Sequence, residues 1–189
     1  MAVQRVDARR NRALILAVAE AEVAAHGADA SLEQIARTAG VGSATVRRHF
    51  PSRRALLQAV FGNRIDALCA HAAALADADD PRAALLDWLS ALTTYATSAR
   101  GMADALLRDD RDDKDDTDHV NACSARLAGA VDPLLHRAAR AGAMASGVTT
   151  ADLISLVTGL ALATEHHPDP AAEAHRLLAL TVRGISPQS

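Results

Sequence analysis

The chain has 189 residues, enough for one ordinary domain or a small module joined to a larger one, and at this size folding buries roughly 70% of the unfolded surface. Half of the residues are hydrophobic but only 2% are aromatic, so Ala, Leu and Val must fill the core, which favours close-packed helices over a sheet built from β-branched and aromatic residues. The formal charge is −3 overall, yet residues 1–64 carry +5 and residues 65–189 carry −8, the pattern of a basic head that meets a polyanion and an acidic body with another task.

No run approaches the roughly 18 apolar residues of a membrane span, and no basic-then-apolar leader is present. Cys69 and Cys123 lack CxxC spacing, so a reduced, cytoplasmic protein is expected. The chain has no paired Glu-x-x-His motifs, GxSxG, Walker loop or GxGxxG, which argues against metal-bundle, hydrolase, nucleotide and dinucleotide chemistry. An enzyme is not expected, and neither is a cofactor or a metal site.

In chain order, Ile15, Ala19 and Val23 recur at four-residue spacing, with Leu14, Val18 and Ala21 alongside, and predict a helix over 9–26 that Gly27 stops. Ser31 stands as the N-cap of a short helix reaching about Thr38. Ala36, Gly40 and Val46 then fill the three roles of a helix-turn-helix: a small residue where the helices cross, a left-handed turn glycine, and an apolar anchor on the second helix. That second helix is expected over 42–49, ended by Pro51. Ser52 caps a longer helix towards residue 76.

The body reads as helices throughout. Asp80 and Pro81 open a helix to residue 99, with Leu85, Leu89, Leu92 and Ala96 in one stripe. A short helix is expected over 102–108, an acidic connector over "DDRDDKDDTD" (109–118), and a long helix from His119 to Ala141, followed by a turn marked by Gly142 and Gly147. Thr150 is expected to cap the next helix, and residues 168–185 to form the last. The acidic connector lacks the glycine and terminal Glu of a calcium loop and reads as solvated. Adjacent His166 and His167 point about 100° apart on a helix and do not readily share a metal.

The stretch "GVGSATVRRHFPSRRALL" (40–57) concentrates the basic charge. Gly42 to Thr45 offer small side chains and a helix N-terminus suited to a major groove and its phosphates. Successive residues lie about 100° apart on a helix, so Arg47, Arg48 and His49 cannot all face one base pair, and at least one must reach a flanking phosphate. Arg53 and Arg54 sit in the first turn of a helix, where the macrodipole disfavours cations unless an external anion is present. The polyanion these residues fit is DNA.

"SLEQIARTAGVGSATVRRHFPSRRALLQAV" (31–60) resembles the N-terminal domain of the TetR family of bacterial transcriptional repressors. In the body, "WLSALTTYATSARGMADALL", "DLISLVTGLAL" and "AHRLLALTVRGI" resemble a subgroup from GC-rich bacteria. The resemblance implies an all-α protein with an N-terminal three-helix helix-turn-helix DNA-binding domain (1–51), a linking helix (52–76) and a C-terminal helical ligand-binding and dimerisation domain (77–189). It implies a homodimer on a palindromic operator, acting most simply as a repressor released by a small-molecule effector. A ligand-independent architectural DNA-binding protein is the alternative reading.

By position, Ser43 and Ala44 are expected to meet base edges, Thr45 and His49 to bind phosphate, and Arg53 to take the basic position after the motif. Ser31, Arg47, Arg48 and Arg54 complete the expected DNA-binding set. Arg47 stands where the family usually has tyrosine; there it reads guanine or adds a phosphate contact, and the sequence leaves both open. The effector pocket is expected around Trp88, Thr93, Tyr95, Met102, Leu106, Cys123 and Leu127. The dimer face is expected at Leu153, Leu156, Val157, Leu160, Leu177, Leu178 and Thr181, which serve equally well as interior residues of one subunit.

Overall fold

A computed structural model describes residues 2–26, 30–98, 114–145 and 147–184. Among them are eight helices and no strand: α1 (Ala2–His26), α2 (Leu32–Thr38), α3 (Ser43–His49), α4 (Arg53–Leu75), α5 (Pro81–Ser98), α6 (Lys114–Arg140), α7 (Thr150–Ala163) and α8 (Pro170–Arg183). The expected stop at Gly27, the helix over 102–108 and the first part of the acidic run lie outside the described residues. Two compact units emerge, one of the residues up to Asn63 together with the described start of α6 up to Thr117, and one built from Arg64–Ser98 and the chain from Asp118 onward. The divisions fall inside α4 and inside α6.

In the first unit α1, α2 and α3 pack pairwise. The stripe of α1 delivers Ile15, Leu16, Ala19 and Val23 to the core, where Ile35, Ala36, Val46 and Phe50 are also buried. The Ser31 hydroxyl caps α2 by accepting from the Gln34 N–H at 3.3 Å. The helix ends in a Schellman turn: Gly40 has φ +66°, its N–H donates to the Arg37 carbonyl at 3.2 Å, and the Val41 N–H donates to the Ala36 carbonyl at 3.0 Å. Phe50, extended ahead of Pro51, ends α3. Ser52 caps α4 through a 3.0 Å bond from the Ala55 N–H.

In the second unit α5 packs on both α7 and α8, which also pack on each other. Asp80 caps α5, its Oδ1 accepting from the N–H groups of Arg82 and Ala83 at 2.9 and 3.0 Å. Trp88 is completely buried, and its Nε1–H donates to the Leu68 carbonyl of α4 at 3.1 Å. Thr93 and Thr97 return their hydroxyl protons to the Leu89 and Thr93 carbonyls, which lets polar residues sit in an aliphatic core.

Three expected boundaries shift. α6 begins at Lys114 rather than His119, because the acidic residues that read as a connector are favoured in a helix's first turn. The cap of α7 is Thr149, in a capping box with Asp152, while the expected cap Thr150 is buried and donates to Asp132 Oδ1 at 2.7 Å. The last helix starts at Pro170 behind its cap Asp169, whose side chain accepts from the Ala172 N–H, and not at Pro168; aspartate is a favoured cap and proline a favoured first helical residue.

Candidate functional site

α3 is held from beneath by Val46, which is 1% exposed. With that anchor inward, Ser43, Ala44, Arg47 and Arg48 are exposed, and Thr45 and His49 are half-buried at the edges of the face. Gly42 caps the helix with its backbone alone and contributes no side-chain hydrogen bond, so the first turn is open to an approaching acceptor. The result is a short helix with small residues at its N-terminal end and cations at its C-terminal end, seated on α1 and α2.

Arg47 Nη2 lies 3.8 Å from Glu33 Oε1 on α2, with both side chains about two-thirds exposed. A pair that open to water holds little free energy, about 0–1 kcal/mol, so Arg47 exchanges it readily for another acceptor. The Ser31 hydroxyl is engaged in its cap and also donates to Glu33 Oε2 at 3.4 Å. The His49 ring lies 6.5 Å from the Phe50 ring, and the Arg12 guanidinium sits 5.2 Å above that same Phe50. Arg53 and Arg54 are half-buried at the start of α4. Nε and Nη2 of Arg53 are buried and meet no hydrogen-bond acceptor among the described residues.

The second unit contains a cavity of about 460 Å³ lined by Arg82, Leu85, Leu86, Leu89, Ala143, Met144, Ala145, Val148, Asp152, Leu153, Leu156, Thr181 and Val182. Its size and mostly aliphatic wall are those of a small-molecule site. A shallower groove of about 270 Å³ lies between α4 and α5, lined by Arg64, Ala67, Leu68, His71, Ala91, Thr94 and Tyr95. There the Arg64 guanidinium is 5.8 Å from the Tyr95 ring centre. Burial pushes the Tyr95 hydroxyl well above its ordinary range, with Arg64 opposing part of the shift.

Of the expected pocket residues, Trp88, Thr93, Cys123 and Leu127 are packed as core, none more than 3% exposed. Tyr95 lines the groove, and Met102 and Leu106 lie outside the described residues. The walls of the larger cavity come from the first turns of α5 and α7, the last turn of α8 and the segment between α6 and α7. Sequence reasoning missed them; the available signal was Met144 and Val148 set around the turn glycines, an apolar segment where polar residues are usual.

Of the expected dimer residues, Leu153, Val157 and Leu178 are buried within the unit itself. Leu156, Leu160 and Leu177 are half-buried and Thr181 is exposed. Two large apolar side chains not in that set stand out on the same helices: Leu162 and Leu180, 66% and 42% exposed. Among the described residues no helix is long and apolar enough to cross a membrane, and no three His, Cys, Asp or Glu side chains gather as a metal site.

A tri-helical head that exposes the cationic face of a short third helix defines a helix-turn-helix DNA-binding protein. The description "Bacterial regulatory proteins, tetR family" matches residues 15–60, and "Transcriptional regulator SbtR-like, C-terminal domain" matches residues 80–187. A TetR transcriptional regulator from Streptomyces coelicolor is 35% identical, over 94% of this chain and 99% of its own, with a TM-score of 0.73. A TetR regulatory protein from Mycobacterium vanbaalenii is 31% identical, over 93% of this chain and 96% of its own, with a TM-score of 0.67. FadR from Bacillus subtilis, in complex with stearoyl-CoA, shares the fold at 16% identity and a TM-score of 0.64, over 92% of this chain and 98% of its own. Comparison with curated proteins gave no match. The chain belongs to the TetR family of transcriptional regulators, DNA-binding proteins rather than enzymes.

Proposed function

We propose that the protein is a homodimeric repressor that occupies a two-fold symmetric operator and is released when a small molecule binds its C-terminal domain. The observation that carries this reading is the exposed face of α3, with Ser43, Ala44, Arg47 and Arg48 presented together above the buried Val46. Ser43 and Ala44 meet base edges in the major groove. Thr45, His49 and Arg53 take phosphates, with Arg48, Arg54 and Ser31 at the margins. Two such heads fit half-sites about 34–36 Å apart.

Pairing runs through α7 and α8, where Leu156, Leu160, Leu177 and Thr181 join the exposed Leu162 and Leu180; apolar side chains this open gain from a partner. The effector occupies the 460 Å³ cavity. That cavity shares Leu156 and Thr181 with the dimer face, so its occupant bears directly on how two subunits meet. FadR from Bacillus subtilis, crystallised with stearoyl-CoA, illustrates that a protein of this fold takes up a small molecule. Coupling is reciprocal, so operator DNA weakens the effector by the factor with which the effector weakens DNA.

Separate substitution of Arg47 and Arg53 tests the assignment. Arg53→Ala is expected to weaken all duplexes alike and lower the salt slope by about two, one contact for each subunit, whereas Arg47→Ala relaxes preference at one position of each half-site. Equal selectivity profiles for the two variants would remove Arg47 from the base-reading set. A thermal-shift screen of small molecules, followed by gel shifts with each hit, tests the release step. A chain that no compound stabilises and whose DNA binding no compound alters would instead fit the architectural reading.

A further inference from the structure

The head carries four arginines in α1 that the helix-turn-helix does not use: Arg5, Arg9, Arg10 and Arg12. Their register is informative. Ile15, Leu16, Ala19 and Val23 are the buried seam of α1; four residues back from Ile15 stands the half-buried Asn11, and stepping back from Leu16 by four and then three residues gives Arg12 and Arg9 on the same side of the helix. The face that seats α1 on its neighbours thus changes from aliphatic to cationic at Arg12. The Arg12 guanidinium marks where this face points, because it lies 5.2 Å above the ring of Phe50, the residue that ends α3.

Arg9, Arg10 and Arg12 are all exposed, and no salt bridge joins any of them to a carboxylate among the described residues. Like charges one turn apart on a helix are mildly unfavourable by themselves. Apolar side chains would continue the seam better unless something anionic lies opposite. The N-terminal end of α3 is the end that enters a groove in this motif, which leaves its C-terminal end, with His49 and Phe50, nearer the rim where the sugar-phosphate backbone passes.

We infer that Arg9 and Arg12 of α1 form a second cationic rail that grips the DNA backbone beside the groove occupied by α3, extending the footprint beyond the helix-turn-helix without reading sequence. The two residues are about 4.5 Å apart along the helix axis, and their long side chains can splay to reach neighbouring phosphates. Arg12 is pinned by Phe50, and Arg9 reaches the next phosphate outward. Arg10, a helical step of about 100° away, stands off the rail and removes the same charge when substituted, which makes it the control.

This inference rests on the DNA-binding reading, and the test separates the two. Full-length wild type, Arg9→Ala, Arg10→Ala and Arg9→Lys are titrated by fluorescence anisotropy against a short GC-rich duplex of arbitrary sequence, between 50 and 200 mM salt, with helical content checked by circular dichroism. Arg9→Ala removes one contact from each subunit of the dimer and is expected to reduce the slope of log K against log salt by about 1.8, so that affinity falls about 12-fold less across that range. Arg10→Ala is expected to keep most of the wild-type slope, and Arg9→Lys to restore it. Equal slopes for Arg9→Ala and Arg10→Ala, or a wild-type slope in Arg9→Ala, overturn the rail while leaving the proposed function standing. A wild type that binds no duplex overturns both.

Discussion

The turn between α2 and α3 sets the angle at which the third helix is presented, and Gly40 is its geometric key. A Cβ built on Gly40 meets nothing within 4 Å, so Gly40→Ala introduces no clash with the core or with α3. What it does introduce is an L side chain at φ +66°, a left-handed conformation that costs about 1–2 kcal/mol for a non-glycine residue. Against this, Ala loses less chain entropy on folding than Gly, a gain of about 0.4–1 kcal/mol. The balance is a loss of about 1 kcal/mol, or roughly 4–8 °C in the melting temperature if the head unfolds as a unit of its size. Gly40→Asn is expected to fall between wild type and Gly40→Ala, because asparagine tolerates the left-handed region. Urea unfolding followed by far-ultraviolet circular dichroism measures both, and duplex affinity is expected to fall in the same order as stability. A Gly40→Ala protein as stable as wild type would refute the claim that this backbone conformation is what the glycine serves.

Val46→Ala removes the buried anchor of α3 and is expected to cost about 2 kcal/mol by urea unfolding, with weakened binding to every duplex, because the reading helix loses its seat rather than a contact. Trp88→Phe deletes the Nε1–H donor to the Leu68 carbonyl and is expected to cost about 1–2 kcal/mol by the same assay. Asp152 is held below the ordinary aspartate value of 3.8, first by the Thr149 hydroxyl and then by the Thr149 N–H. Its contribution is therefore present in full above that value and lost as pH falls through the depressed one. The melting-temperature gap between wild type and Asp152→Asn is expected to be open at neutral pH and to close in acid; a gap that widens in acid would contradict the capping box. Burial raises both thiols above their ordinary range, so Cys69 and Cys123 are expected to react slowly with a thiol reagent at mildly alkaline pH and promptly in urea.

The head was more legible in the sequence than the body, for a physical reason. A helix-turn-helix packs its constraints into adjacent residues: Ser31 caps, Ala36 crosses, Gly40 turns and Val46 anchors, and each has a side-chain requirement that few residue types meet. Helix ends in the body were less legible where two candidates stand side by side. Thr149 and Thr150 both suit an N-cap, and only Thr149 has Asp152 three residues on to complete the box, a pattern that fixes the choice in hindsight. Acidic residues over 114–118 suit a solvated connector and a helix start alike, and charge density does not separate the two. Cavities were the least legible feature. Trp88 and Thr93 attract attention by chemistry, yet a cavity is a failure of packing among ordinary aliphatic residues such as Leu85, Leu156 and Val182, and periodicity carries no trace of it. Likewise, Leu153 and Leu156 share a stripe in sequence, and only their burial separates an interior residue from a surface one.

The most direct test of the account is selection of genomic fragments by the purified full-length protein at moderate salt, followed by sequencing. The account predicts an enriched motif with two-fold symmetry and half-sites about one helical turn apart or a multiple of it, with recovery weakened in both Val46→Ala and Arg53→Ala. Recovery of fragments with no shared motif, at any salt concentration that permits binding, would contradict the claim that α3 reads duplex DNA.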